Sequence, residues 1–264
     1  MQQNIPLKRF GQHYLKDENI ISKIISEISP QPDDLILEIG PGEGALTSRL
    51  IAKVNKLLAV EIDNRKYEQL QRKFPNLILI KDDFLRINLQ DIYNQYKQKL
   101  RIVGNIPYNI TSPILFKMVE QRKIIHDSVL MIQHEVAKRI AAKPCNKDYG
   151  ILSVIVQHFA EVNLCFKVSP NVFFPRPKVF SSVIHLTFKN NLINYQKDEI
   201  FINIVKAAFN NRRKMLYNSL KNSIFSNLNF ENSGIDLSKR AEQLTTEDYV
   251  KLAEFVSNEI SKKA

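Results

Sequence analysis

The stretch Leu35-Ile-Leu-Glu-Ile-Gly40-Pro-Gly42-Glu-Gly44 decides how the rest of the chain is read. Its apolar run predicts a buried strand. The glycines behind it predict a turn whose backbone comes close to a ligand, with a helix opening at Ala45. In an open α/β sheet such a turn lies at the C-terminal ends of the strands, where strand order reverses and nucleotide-like ligands bind. Outward from it, apolar runs at Asp34–Ile39, Lys56–Ile62, Asn76–Ile80, Arg101–Val103 and Ser128–Gln133 alternate with helical patterns. Those patterns cover Ala45–Lys53, Asn64–Lys73, Ser112–Glu120 and Val136–Ala142. The alternation predicts a doubly wound, Rossmann-like α/β domain.

After Tyr149 the pattern changes. The apolar segment Ile151–Val168, a Pro-rich loop and the alternating Val179–Phe188 predict a terminal antiparallel hairpin. Asn190–Gln196 is polar and aperiodic and reads as a linker, and Ile200–Ala264 carries helical patterns without a strand. The expected organisation is a ligand-binding α/β domain over residues 1–189 and a small all-helical C-terminal domain over residues 196–264.

Composition narrows the class. With 44% hydrophobic and 25% charged residues, the 264-residue chain is an ordinary globular protein. Its 38 Lys and Arg against 27 Asp and Glu leave a net charge of +11, which favours a polyanionic partner, nucleic acid first. No apolar stretch reaches membrane-spanning length and Met1–Asn19 has no secretory pattern, so a cytoplasmic, non-membrane protein is expected. Cys145 and Cys165 form no CxxC pair and read as inert buried thiols. His134-Glu135 begins a zincin-like pattern, but Lys138 occupies the second histidine position, and no GxSxG occurs. Metal-dependent and serine hydrolase chemistry are therefore excluded, and no metal is expected.

The ligand of the glycine turn is open at the level of the turn alone. Gly40, Gly42 and Ala45 satisfy a GxGxxA dinucleotide pattern, with Glu61 about twenty residues on. Glu43, however, would oppose a pyrophosphate and attract the cationic groups of S-adenosylmethionine, which tips the reading to the methyl donor. Glu61 ends the second strand, where a carboxylate can accept from both hydroxyls of a ribose. Lys81-Asp-Asp-Phe84 ends the third, offering an acceptor for an adenine amine and a ring beside it.

The most specific signal is Asn105-Ile-Pro-Tyr108 after the fourth strand. The lone pair of an adenine N6 amine is delocalised into its ring. Accepting its protons at the Asn105 side-chain oxygen and the Ile106 carbonyl would free that pair for attack on a sulfonium methyl. Tyr108 would stack on the base and favour its developing positive charge. A target at the pairing edge must be turned out of its stack, so a second aromatic is expected. Phe173, in the proline-stiffened Phe173-Phe-Pro-Arg-Pro-Lys-Val179, is the candidate.

These motifs carry a resemblance that runs nearly end to end. Arg9-Phe-Gly-Gln-His-Tyr-Leu15, Glu38–Thr47, Val60-Glu-Ile-Asp63, Asp83-Phe84, Gly104–Ile110, Phe173–Val179, Phe209–Leu216 and Gly234–Leu244 resemble the ribosomal RNA adenine dimethyltransferases. The likeness is to the bacterial enzymes that dimethylate two adjacent adenosines near the 3′ end of 16S rRNA. It implies a class I methyltransferase sheet, with S-adenosylmethionine held by His13, Leu15, Gly40, Glu61, Asp83 and Asn105. It also implies Tyr108 and Phe173 on either side of the target base, and Arg212, Arg213 and Lys214 on RNA phosphates. His13 stands where the family often has Asn, and Asp82 where it often has Gly; the register with Phe84 favours Asp83 as the adenine contact.

The expected partner is 16S rRNA within the immature small subunit, bound by a monomer. A 23S rRNA adenine N6-methyltransferase, a non-catalytic RNA-binding assembly factor and a dinucleotide-dependent oxidoreductase are the competing readings. The matches from Arg212 and from Gly234 speak against the first, and intact Gly40, Glu61, Asn105 and Tyr108 against the second. The third predicts affinity for NAD.

Overall fold

The computed structural model describes residues 12–189 and 195–263. Arg9, Phe10 and Gly11 of the first motif, and residues 190–194 of the expected linker, lie outside the described residues. In chain order the elements begin β1 (Tyr14–Leu15), α1 (Glu18–Ile28), β2 (Leu35–Ile39), α2 (Thr47–Leu50), β3 (Lys56–Val60), α3 (Asn64–Lys73), β4 (Ile78–Ile80) and α4 (Leu89–Tyr96). They continue with β5 (Leu100–Asn105), α5 (Thr111–Glu120), β6 (Ile125–Gln133), α6 (His134–Ala141), α7 (Ile151–Phe159), β7 (Ala160–Val168), β8 (Phe173–Phe174) and β9 (Ser181–Phe188). The last helices are α8 (Tyr195–Asn210), α9 (Leu216–Lys221) and α10 (Thr246–Lys263).

Every residue of β2 is buried, as a strand covered on both faces must be. It runs parallel to β3 on one side and β5 on the other, β4 and β6 extend the two flanks in parallel, and β9 pairs antiparallel with β6. The seven-stranded order β4-β3-β2-β5-β6-β9-β7 reverses direction of travel between β2 and β5, which makes that junction the switch point. A small antiparallel ribbon pairs Tyr14 with Phe174 and Leu15 with Phe173. Helix α1 packs Ile21, Ile24, Ile25 and Ile28 inward, and Asp17 caps it by accepting from the Ile20 N–H at 2.9 Å.

The chain divides into two compact units, residues 1–137 with 162–188 and residues 138–161 with 189–264. This differs from the 1–189 and 196–264 organisation expected from sequence. The first half of the apolar run at Ile151 is not a strand but α7, and it belongs to the second unit. A run apolar on every side has no period with which to tell helix from strand. Within that unit Tyr149 is fully buried, donates to the Leu244 carbonyl at 3.0 Å and meets Phe209 edge-on. Helices α1 and α4 were absent from the sequence reading, and the helix expected over Ala45–Lys53 narrows to α2 between turns. Cys145 is exposed rather than buried, and Cys165 is half-buried, its thiol pushed up to about 12 by desolvation.

Two buried carboxyl groups, those of Asp127 and Glu38, flank the central strands. At one end, Arg101 on β5 binds Asp127 through two nitrogens at 2.8 and 2.7 Å, Asp34 at 2.6 Å and the Ile28 carbonyl at 2.7 Å. His185 on β9 closes the network on Asp127 at 2.9 Å, so one guanidinium ties the end of α1 to strands β5, β6 and β9. Burial opposes the Asp127 charge, but Arg101 and His185 outweigh it and hold the carboxyl down at about 2. Further along β2, Glu38 is buried and accepts from the Thr47 hydroxyl at 2.6 Å; desolvation raises its carboxyl to about 7 from an ordinary 4.5.

Removing one partner of a buried network strands the other charge. Arg101→Leu is therefore expected to cost about 3–5 kcal/mol in urea unfolding. The stability Asp127 contributes is fully present above its ordinary pKa of 3.8 and is lost as pH falls towards 2, so Arg101→Leu should also flatten this acid limb. Glu38 has the opposite sign. The folded chain keeps a proton that the unfolded chain releases between pH 4.5 and 7, so stability falls as pH rises through that window. Glu38→Gln should remove this slope and stabilise the protein by ~2–3 kcal/mol at about pH 8, read by thermal unfolding.

Candidate active site

A cavity opens at the switch point of the first unit, lined by Gln12–Leu15, the turn from Glu38 to Glu43, Val60–Ile62, Asp82–Phe84 and Asn105–Ile110. The ends of β2 and β5 border it, and the two strands approach closely at Gly104. A Cβ on Gly104 would lie 2.7 Å from the Ile39 carbonyl oxygen, so only glycine lets these strands pair in this register and bring their ends together. The turn after β2 holds Gly42 at φ +58°, with Tyr14 ring atoms 3.0 Å from where a Cβ would be. Gly40 has no atom within 4 Å of its missing Cβ, so its backbone is open to a ligand.

All six residues expected at the donor, His13, Leu15, Gly40, Glu61, Asp83 and Asn105, line this cavity. Glu61 is buried just beyond β3. Its two oxygens accept from the Gly42 N–H at 3.1 Å and the Asp63 N–H at 2.8 Å, and desolvation raises its carboxyl nonetheless. A carboxylate has about four acceptor sites, so Glu61 both fixes the glycine turn and keeps capacity for a diol. Asp83 accepts from the Leu85 N–H at 2.9 Å and Asp82 from the Asp83 N–H at 2.7 Å; both border the cavity, above a buried Phe84.

At the end of β5, Asn105 donates through Nδ2 to the His13 carbonyl at 2.8 Å, while the Ile106 N–H is bound by the Met131 carbonyl at 2.9 Å. That donation fixes the amide and leaves Oδ1 as its acceptor. The Tyr108 hydroxyl shares a 2.8 Å hydrogen bond with Ser181, and its ring lies 5.6 Å from the His13 ring at a 31° tilt. His13 donates from Nδ1 to the Pro175 carbonyl at 2.7 Å. Amide, aromatic ring and imidazole are thus each locked by a separate partner, which is what a preorganised site requires.

Three expectations need correcting. Phe173 does not line the cavity: alternation along β8 turns its ring, beside the Leu15 side chain, into the core, where it is 5% exposed. The Glu43 charge does not select the ligand, because Lys16 and Lys66 both pair with its carboxylate. Arg212 is occupied within the second unit, donating to Glu242 and to the Lys147 carbonyl, each at 2.7 Å. Arg213 and Lys214 are exposed.

Sequence reasoning missed residues that act by holding others. Lys117 on α5 donates to the carbonyls of Phe84, Leu85 and Ile87 at 2.8, 3.0 and 2.5 Å, clamping the loop that carries Asp82 and Asp83. Lys66 is buried, 4.6 Å from the centre of the Tyr14 ring. A lysine in an amphipathic helix carries no local signal of such a task. Among the described residues no group of three His, Cys, Asp or Glu could hold a metal, and no helix is long and apolar enough to cross a membrane.

The family model for ribosomal RNA adenine dimethylases matches residues 6–258. The chain is 43% identical over 246 residues to a ribosomal RNA small subunit methyltransferase A from Chlorobium phaeobacteroides, covering 93% of this chain and 91% of that protein. It is 40% identical over 255 residues to the protein of that name from Francisella tularensis, covering 95% and 97%. Among solved structures it is similar to a dimethyladenosine transferase from Plasmodium falciparum, with a TM-score of 0.78 at 27% identity over 93% of this chain and 98% of that one. It is also similar to the 23S rRNA methyltransferase ErmE, with a TM-score of 0.69 at 26% identity over 92% and 99%. By this coverage, and by the amide, tyrosine and glycine turn assembled at the switch point, the chain belongs to the ribosomal RNA adenine dimethylase family.

Proposed function

We propose that this protein transfers methyl groups from S-adenosylmethionine to the N6 amines of two adjacent adenosines in the 3′-terminal hairpin of 16S rRNA, within the immature small subunit. The observation that carries the reading is the Asn105 amide, fixed by the His13 carbonyl beside the Tyr108 ring at the mouth of the cavity. S-adenosylmethionine, when bound, supplies an electrophilic methyl on a sulfonium. The cavity fits it: Gly40 leaves its backbone open, Glu61 offers oxygens for the ribose, and Asp83 an acceptor for the adenine amine. His13, Leu15 and Asn105 border the methionine end.

The chain's own residues then have defined tasks. Asn105 accepts a hydrogen bond from the target amine at Oδ1, and the Ile106 carbonyl is the proposed second acceptor, which draws the nitrogen towards tetrahedral geometry and frees its lone pair; the proton that the nitrogen loses on methylation passes to water. Tyr108, held by Ser181, stacks on the base and stabilises the cation that develops, by about 0.5–2 kcal/mol. Positioning supplies most of the rate, and neither a strong base nor a metal is required. Phe173 acts from behind, anchoring the ribbon that carries His13 and Tyr14. Arg213 and Lys214 contact phosphates, whereas Arg212 braces its own unit. An rRNA substrate implies a cytoplasmic enzyme, and a monomer suffices for a site built within one unit.

Asn105→Ala is expected to lower kcat about 100-fold or more in methyl-incorporation assays, with the fold intact by circular dichroism. Calorimetry on the wild type should show binding of S-adenosylmethionine and none of NAD; the reverse would restore the oxidoreductase reading. The double substitution Arg213→Ala, Lys214→Ala should weaken RNA binding and reduce the salt slope by about 1–2 units, and an unchanged slope would remove both residues from the interface. Phe173→Ala should cost about 3–5 kcal/mol of stability in urea unfolding, as loss of a buried ring does. Unaltered stability would return Phe173 to the role of a free stacking ring.

A further inference from the structure

The segment from Phe174 to Phe180 is fastened to the rim of the cavity at both ends. Phe174 pairs with Tyr14, the Pro175 carbonyl accepts from His13 at 2.7 Å, the Phe180 carbonyl accepts from the His134 N–H at 2.9 Å, and Ser181 holds Tyr108. Between these fastenings lie Phe174, 61% exposed, Phe180, 45% exposed, and the exposed cations Arg176 and Lys178. No acidic residue occurs from Ser169 to Ser181. Lys167 on β7 adds a further cation, 3.9 Å from the centre of the Phe180 ring.

Directly opposed residues of an antiparallel pair share a face, so Phe173 stands with Leu15 and is buried in the core cluster, while Phe174 stands with Tyr14 and is exposed; Tyr14 and Leu15 both border the cavity. Two prolines shorten the list of conformations the loop must give up on binding. Exposed rings interleaved with cations, free of acids and tied to a catalytic rim, match single-stranded nucleic acid, which offers an aromatic face and a phosphate at each step. A protein partner would leave these cations without an argued counter-charge.

We propose that this loop is a platform for the nucleotide next to the target adenosine: Phe174 stacks on that neighbouring base, and Arg176 and Lys178 take the adjoining phosphates. The proposal rests on the function argued above. Turning one adenosine out of its stack strips a partner from its neighbour, and a ring at the rim replaces it. Where the two substrates are adjacent, the neighbour held on Phe174 is itself a methylation target, and the platform keeps it close while the other occupies the cavity.

The test uses the full-length protein and a 3′-terminal hairpin of 16S rRNA in which 2-aminopurine replaces the adenosine beside the target. Wild-type protein should methylate the unmodified RNA and change the fluorescence of the modified one. Phe174→Ala should abolish the fluorescence change and raise KM for RNA about tenfold, with affinity for S-adenosylhomocysteine retained. Phe174→Trp should restore both signals, and Arg176→Ala with Lys178→Ala should raise KM and flatten its salt dependence. An unaltered KM and fluorescence change in Phe174→Ala would overturn the platform while leaving the methyltransferase reading standing. Equal losses of RNA and S-adenosylhomocysteine affinity would mean that the ring only braces the ribbon. A dimer of the wild type that Phe174→Ala dissolves would assign the ring to a second copy of the chain. No methylation by the wild type would overturn the proposed function itself.

Discussion

The contact on which the site depends is the packing of Gly104 against the Ile39 carbonyl. A Cβ would sit 2.7 Å from that oxygen, so the two strands that flank the switch point run side by side only because position 104 has none. From this follow the neighbouring ends of β2 and β5, the glycine turn on one and Asn105 on the other. The ribbon of β1 and β8 then lies over both. His13 offers its carbonyl to Asn105 and its ring nitrogen to Pro175, joining the amide that would activate the nucleophile to the loop that would receive the RNA.

Charge is arranged to keep this geometry rather than to attract ligands indiscriminately. Acids around the cavity are met by backbone donors or by lysines: Glu61 by the N–H groups of Gly42 and Asp63, Glu43 by Lys16 and Lys66, and Asp63 by Arg65 and Gln12. At the opposite end of the strands the Arg101 network does the same for Asp34 and Asp127. The net charge of +11 is therefore not spread evenly over function. The cations proposed to meet RNA are exposed ones, Arg213 and Lys214 in one unit and Arg176 and Lys178 in the other.

Much of this was legible in the sequence wherever a local rule applies. The β2 run and its glycines, the acids at the ends of β3 and β4 and the Asn105–Tyr108 motif each mark a strand end by residue type alone, and they meet in one cavity. What sequence could not show depends on partners distant in the chain. Phe173 and Phe174 are indistinguishable as letters, and only the pairing with β1 decides which of them faces the core. Arg212 and Arg213 are likewise adjacent and alike, yet Glu242 and the Lys147 carbonyl claim just one of them. The run at Ile151 hid a helix because burial on all sides erases the period that separates the two kinds of element.

The account stands most directly on where the methyl groups go. Immature small subunits and protein-free 23S rRNA, each incubated with the protein and isotopically labelled S-adenosylmethionine, can be digested and mapped by mass spectrometry. The account predicts label on the N6 atoms of two adjacent adenosines in the 3′-terminal hairpin of 16S rRNA and none in 23S rRNA. Label confined to 23S rRNA, or placed on any atom other than an adenine N6, would contradict it.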